Sequence, residues 1–341
     1  MTPTCSTWRR LSPLLTLCAL LACQRQAPTP PSLPALAAAS APAGVPAMQA
    51  ATPAASTAPA SAAVSWVDPE APGPTPATGA LDDTPQALLH EALAAWRADR
   101  PLLAILPNDK PKDPQDITVA LKPVLVAAIG DDQRILVLTG EPADDEGQPA
   151  ASHIDQGVVL TYGFRRRDGR WWRTGQPPTR TWTGFEGQAG TIRTIELAPR
   201  HPALVIENGS CWQGYCGGWL TLLGLDVDHV TPLADSLPMN SESSGATEGC
   251  GPFLEARPAD AASVPKGLDP QNCFDIASQW HLEPSPDGDG SDFVIAFTGR
   301  EIVADAKTHA LSMHDVDETL VLRRHGDKLE PASGHDPTHS F

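Results

Sequence analysis

Acidic side chains recur at alternate positions in Asp287-Gly-Asp289-Gly-Ser-Asp292, a spacing at which carboxylate oxygens can converge on a calcium ion. A complete EF-hand loop would carry a bidentate glutamate at its twelfth position, where Thr298 stands. Asp287, Asp289 and Asp292 are therefore a calcium candidate weighed against a plain polar turn. A second cluster is Asn208-Gly-Ser-Cys-Trp-Gln-Gly-Tyr-Cys-Gly-Gly-Trp219. Its glycines permit tight turning, and Trp212, Tyr215 and Trp219 offer the rigid amphipathic area favoured in binding patches. The competing expectation places the tryptophans in the core and the glycines at hairpin corners.

Signatures of covalent and phosphoryl chemistry are missing. There is no G-x-S-x-G elbow, no phosphate-binding glycine loop and no dinucleotide fingerprint. His90-Glu91 starts like a zinc-protease helix, but Ala94 stands where the second histidine would be. A non-enzymatic binding role is expected ahead of an enzyme acting on envelope polymers. Such an enzyme would draw carboxylates from loops such as Asp144-Asp145-Glu146. A third expectation is a structural or assembly factor of the envelope. No cofactor is expected apart from the calcium candidate.

The chain starts with a basic n-region ending in Arg9-Arg10, then a short apolar run from Leu11 to Ala22. That run is too short to cross a bilayer and has the form of a secretory signal. Leu20-Leu21-Ala22-Cys23 resembles the lipobox of bacterial lipoproteins, so residues 1–22 are expected to be a signal peptide and Cys23 the lipidation site. The resemblance implies a membrane partner through the lipid anchor. With Gln24 rather than aspartate after the cysteine, it implies the periplasmic face of the outer membrane.

From Ala27 to about Ala80 the chain is almost wholly Ala, Pro, Ser and Thr, so residues 23–80 are expected to be a disordered tether. As a flexible coil it would span roughly 40 Å. Residues 81–341 form the expected periplasmic domain. The net charge is -17, with 41 acidic against 24 basic residues, and losing Arg9 and Arg10 makes the mature chain more acidic still. Nucleic acid is excluded as an expected partner, because phosphate binding needs clustered Lys and Arg. The densest basic cluster, Arg165-Arg166-Arg167 with Arg170 and Arg173, is expected on a solvated strand face. With Cys5 and Cys18 in the signal and Cys23 lipidated, Cys211, Cys216, Cys250 and Cys273 remain for disulfides in an oxidising compartment. The expected pairing is Cys211 with Cys216 and Cys250 with Cys273.

These features need elements to hold them. Thr84-Pro85, followed by apolar residues at Leu88, Leu89, Ala92, Leu93 and Trp96, predicts a helix from about Leu81 that Pro101 stops. Ile117 to Ala128 reads as helix or strand. From Arg134 on, short β-branched and aromatic runs alternate with turn residues. Strands are predicted at 135–139, 158–166, 170–174, 191–197, 203–207, 219–225, 230–235, 274–282, 293–298 and 319–324. Hairpins are predicted at Asp168-Gly169, Asp226 to Asp228 and Gly326-Asp327. The fold class is mainly β, an antiparallel meander forming a sandwich, barrel or propeller-like arrangement with a short N-terminal helical segment. Leu136-Val-Leu-Thr-Gly140, Phe164-Arg-Arg-Arg-Asp-Gly-Arg-Trp171, Gln213-Gly-Tyr215 with Leu220-Thr-Leu222, and Phe293-Val-Ile-Ala-Phe-Thr-Gly299 resemble a group of uncharacterised proteobacterial periplasmic β-rich proteins. The architecture is similar in outline to lipoprotein inhibitors or immunity proteins against cell-wall hydrolases. The resemblance implies a periplasmic protein or cell-wall glycan as partner.

Overall fold

The structure, a computed structural model, describes residues 64–71, 78–108, 115–256, 272–288, 290–304, 307–308 and 311–339. The chain divides into units Met1–Ala58 and Pro59–Phe341, and every described residue belongs to the second. The expected signal peptide, Cys23 and most of the expected tether lie outside the described residues, as does Asp289. Among the described residues no helix is long and apolar enough to cross a membrane.

The fold is mainly β, in two sheets. The first holds β1 (Ser65–Val67), β2 (Leu102–Asn108), β3 (Gln115–Ile129), β4 (Gln133–Pro142), β5 (Gly157–Arg167), β6 (Arg170–Arg173) and β7 (Thr179–Thr183). Its strands are paired in sequence order through β6, and β7 returns to pair with the other half of β5. The second is an unbroken antiparallel meander that curls into a half-barrel. It runs through β8 (Thr191–Ala198), β9 (His201–Trp212), β10 (Tyr215–Leu225), β11 (Val230–Glu242), β12 (Phe274–Pro284), β13 (Ser291–Ala304), β14 (Leu311–His325) and β15 (Lys328–Ser333). Among the described residues there are also two short α-helices, α1 (Pro85–Ala92) and α2 (Cys250–Ala256).

The apolar runs of the central strands follow from burial on both faces. Side chains alternate along a strand. On β4, Leu136 and Leu138 join the core under α1, while Ile135 and Val137 join the core between the sheets. On β9, Leu204 and Ile206 enter that same inter-sheet core, whereas Ala203 and Val205 face the interior of the curled sheet. A strand used on both sides has no polar face to display, which explains the near-continuous Val, Ile and Leu. The sheets also meet at Gly163 of β5. A Cβ there would lie 1.9 Å from the carbonyl oxygen of Val227, in the turn between β10 and β11, so only glycine lets that turn seat.

Helix α1 begins where its cap predicts. Thr84 accepts a hydrogen bond from the Ala87 amide at 3.3 Å, and Pro85 occupies the first helical position. It stops at Ala92, earlier than its apolar spacing predicts, because Leu93 turns to extended backbone and 102–108 continue as β2. The ambiguous Ile117 to Ala128 is strand β3, with Pro123 at a register shift where it need not donate to the ladder.

The domain boundary expected at Leu81 is corrected. Ser65–Val67 pairs in parallel with Leu102–Ala104 of β2, and the chain around it is strapped to the first sheet. Tyr162 donates its hydroxyl to the Pro69 carbonyl, Arg173 donates to Ala71 and Ala92, and Arg170 donates to Thr78 and Gly79. Buried Glu91 accepts from the Thr78 and Gly79 amides, and its burial raises its carboxyl above the ordinary range. The basic cluster is solvated at Arg166 and Arg167, as expected, but Arg165, Arg170 and Arg173 are partly buried. Arg173 lies 4.9 Å over the Tyr162 ring and Arg165 pairs with Asp228 at 2.5 Å, so these guanidiniums join segments together. Alanine and proline dominate residues 23–80 so strongly that composition hides the short strand.

Candidate functional site

Gln213 and Gly214, at φ 52° and 86°, form the two-residue turn from β9 to β10. Positive φ at both positions matches the right-handed twist of the flanking strands. Behind the turn, Trp212 pairs with Tyr215 and Cys211 with Cys216. The cysteines form one disulfide, with Cα atoms 4.0 Å apart, and Cys250 bonds Cys273 in the other. The pairing expected from spacing is therefore present. The hairpin tip presses on the loop after β11, where a Cβ on Gly214 would lie 2.1 Å from the Gly245 carbonyl carbon.

The three aromatic side chains singled out in this stretch do not form one patch. Trp212 points out, 54% exposed, with its ring stacked on His153 at 4.2 Å and an interplanar angle of 5°. Tyr215 is half-buried and stacks 6.4 Å from Phe274, while Trp219 is half-buried 5.0 Å from Phe185. Trp212 is the exposed platform, and the other two are packing residues. The His153 carbonyl also accepts the Glu186 amide, which ties the loop behind Trp212 to the segment after β7.

Beside the hairpin runs a groove of about 520 Å³ lined by the Cys211–Cys216 disulfide, Glu186, Ser210, Asn240, Glu242 and Asp275. At Glu242 and Asp275 it continues into a depression of about 890 Å³ that adds Glu255, Asp315, Asp317 and Arg300. Glu242 and Asp275 are register partners across β11 and β12. Partial burial, then the neighbouring Glu242 charge, hold the Asp275 carboxyl above the usual range. The residue still faces solvent, so screening keeps this effect small. Arg300 is committed to Asp315 at 3.1 Å and to the Leu254 carbonyl at 2.6 Å. Sequence reasoning missed these carboxylates because Glu242 and Asp275 stand far apart along the chain and only strand register joins them.

The other candidates have local partners. Asp292 is buried, and both its oxygens accept from Arg323, at 3.0 and 2.7 Å. Asp287 lies 3.4 Å from the same guanidinium. Arg323 thus stands where the calcium expectation placed a cation, and among the described residues no group of His, Cys, Asp and Glu could hold a metal ion. In the loop Asp144-Asp145-Glu146, the Asp144 carboxylate accepts the Glu146 and Gln148 amides, so it shapes its own turn.

A pH prediction follows from the Asp292 pair. The Arg323 hydrogen bonds hold the Asp292 carboxyl below its ordinary range. The pair's contribution is therefore full above the unfolded carboxylate pKa of about 3.9, and is lost as pH falls through the lower folded value. Arg323→Gln is expected to lower the urea midpoint at pH 7 and to flatten the acid side of the stability profile. An unchanged profile would show the pair to be inert.

Compared with protein-family models, with curated proteins and with solved structures, the chain matches none.

Proposed function

We propose that this protein is a lipid-anchored binding module of the bacterial envelope, held on the periplasmic face of the outer membrane, that docks a cationic segment of a protein partner. Leu20-Leu21-Ala22-Cys23 with Gln24 supports the anchor and its membrane. The observation that carries the reading is the position of Trp212. It stands exposed on a disulfide-closed hairpin and backed by His153, beside a groove edged with Glu186, Glu242 and Asp275. A rigid exposed tryptophan is the residue type that dominates binding hot spots, and a one-signed rim steers an oppositely charged partner. An inhibitor or immunity protein for a basic cell-wall hydrolase fits this charge.

The test is affinity capture from periplasmic extract by the full chain, compared with Trp212→Ala and with Glu242→Gln/Asp275→Asn. Capture of a basic protein is expected, released by raised salt because exposed charge pairs are screened. Trp212→Ala is expected to weaken it by about 2 kcal/mol, roughly 30-fold. Capture that both variants retain in full would sink the proposal.

One observation favours a second reading, an enzyme acting on envelope polymers. Glu242 and Asp275 are paired carboxylates, one of them with a raised pKa, in an open groove. On that reading Asp275→Asn abolishes turnover of a peptidoglycan substrate while leaving binding intact.

A further inference from the structure

The two disulfides stand in opposite surroundings. Cys250 and Cys273 are 0% and 1% exposed, packed with Phe253, Leu254 and Ile302. Cys211 is exposed and Cys216 half-buried, and both line the open groove beside the hairpin. Thiol–disulfide exchange needs a thiolate to reach one of the bonded sulfurs, so access decides which of two disulfides reacts in a folded protein. Of these two, Cys211–Cys216 offers that access.

The bond also holds a turn against its own preference. Gln213, at φ 52°, sits in the left-handed region without being glycine, where a Cβ crowds the following carbonyl oxygen. Between this turn and the disulfide there is one ladder pair, Trp212 with Tyr215. Trp212 and Gln213 are exposed and Tyr215 is half-buried, so no core closes over the end of the hairpin. Parting the sulfurs therefore lets Gln213 relax and the end fray. The rest of the ladder does not depend on the bond, because Ala203 to Ile206 are anchored in two cores.

We propose that Cys211–Cys216 is a thiol–disulfide exchange site for a dithiol, and that opening it releases the Trp212 platform while the fold stays intact. One thiolate of the dithiol attacks Cys211 Sγ, on the more exposed residue of the pair. A new S–S bond forms as the Sγ–Sγ bond breaks, and the electron pair leaves on Cys216 Sγ, which takes a proton from water. The second sulfur of the dithiol, as thiolate, then attacks the mixed disulfide and releases Cys211 Sγ, which is protonated in turn. The protein pair gains two electrons and two protons, and the dithiol is oxidised to its own disulfide. A dithiol is the class that fits, because Cys216 stays across the hairpin from Cys211 and expels a monothiol by attacking back, whereas a tethered second sulfur completes the reduction first. The consequence for a cationic partner rests on the docking reading above, whereas the exchange itself does not.

The experiment treats the full chain, without denaturant, with dithiothreitol and separately with glutathione at equal thiol concentration. Free thiols are trapped with iodoacetamide, and each cysteine is read by peptide mass spectrometry. Dithiothreitol is expected to open Cys211–Cys216 on the order of tenfold or more faster than Cys250–Cys273, and glutathione to leave the pair mostly closed. Amide hydrogen exchange over residues 209–217 is expected to speed up by about tenfold in the reduced protein and in Cys211→Ser/Cys216→Ser, with 203–206 unchanged. Opening of both disulfides at one rate overturns the proposal, because exchange then proceeds through unfolding of the whole domain. Opening of neither before urea is added overturns it as well, as does equal reduction by glutathione or equal protection of the hairpin amides in both states. Neither readout needs a docking partner, so failure of the docking reading and failure of this proposal are told apart.

Discussion

Phe297→Ala is expected to destabilise the protein by about 4 kcal/mol, the usual range for truncating a fully buried phenylalanine being about 3–5. Phe297 is at the centre of β13, with no exposed surface. It belongs to the core that the second sheet encloses by curling, together with Phe293, Ile295, Leu220 and Leu222. This core shares no buried residue with the inter-sheet core of Ile135, Val137, Leu204 and Ile206. Among the described residues no helix covers that interior, so the strands close over a void only by abandoning their own curvature. The lost aromatic volume is therefore expected to remain as a cavity. Urea unfolding followed by circular dichroism measures the effect. A cost under about 1 kcal/mol would mean that the curled sheet collapses freely around the gap and that its packing is not what shapes it.

Removing the second disulfide by Cys250→Ala/Cys273→Ala is expected to cost about 3 kcal/mol, from the loop entropy that a sequence separation of 23 releases to the unfolded chain. Helix α2 has seven residues, too few to be stable alone. It is held by a small cluster of Cys250, Phe253, Leu254, Cys273 and Ile302, so the disulfide is a large part of its attachment. Buried Ser243 adds a bridge, with its hydroxyl accepting the Phe274 amide at 2.9 Å. Breaking Cys211–Cys216 costs less, about 2 kcal/mol on the same reasoning, because it closes a short hairpin whose register and turn already hold it. The check is chemical denaturation of both double alanine variants, with the wild type under reductant as reference. Equal costs would refute the loop-length argument. Gly251, Pro252 and Glu255 also wall the wider acidic depression, so losing the Cys250–Cys273 bond is expected to weaken a cationic partner even where the fold survives.

How far each feature could be read from the sequence depended on the range of the interaction that makes it. Asp168-Gly169 and Gly326-Asp327 were legible as hairpins because positive φ is a property of the residues in the turn themselves. Thr84-Pro85 marked the start of α1 for the same reason, since a cap acts on an amide three residues away. The pairing of Cys211 with Cys216 was legible because five residues suffice for a tight hairpin. The segment Leu102-Leu-Ala-Ile-Leu106 was not legible as a strand. A run that is apolar on both faces carries no period to tell helix from sheet. Strands β1, β7 and β15 are short, and α2 lacks a helical stripe long enough to notice.

By itself, then, the sequence determined the mainly β class, the turns, the helix start and the cysteine pairs, all of which follow from backbone preferences and contacts within a few residues. Only the tertiary structure decided that Trp212 stands out while Tyr215 and Trp219 pack inward, that Arg323 claims Asp292, and that Glu242 meets Asp275. Those outcomes depend on which face of a pleat a residue takes and on register between strands distant in sequence. Alternation along a strand names two faces, but what covers each face is settled only when the sheets curl and pack.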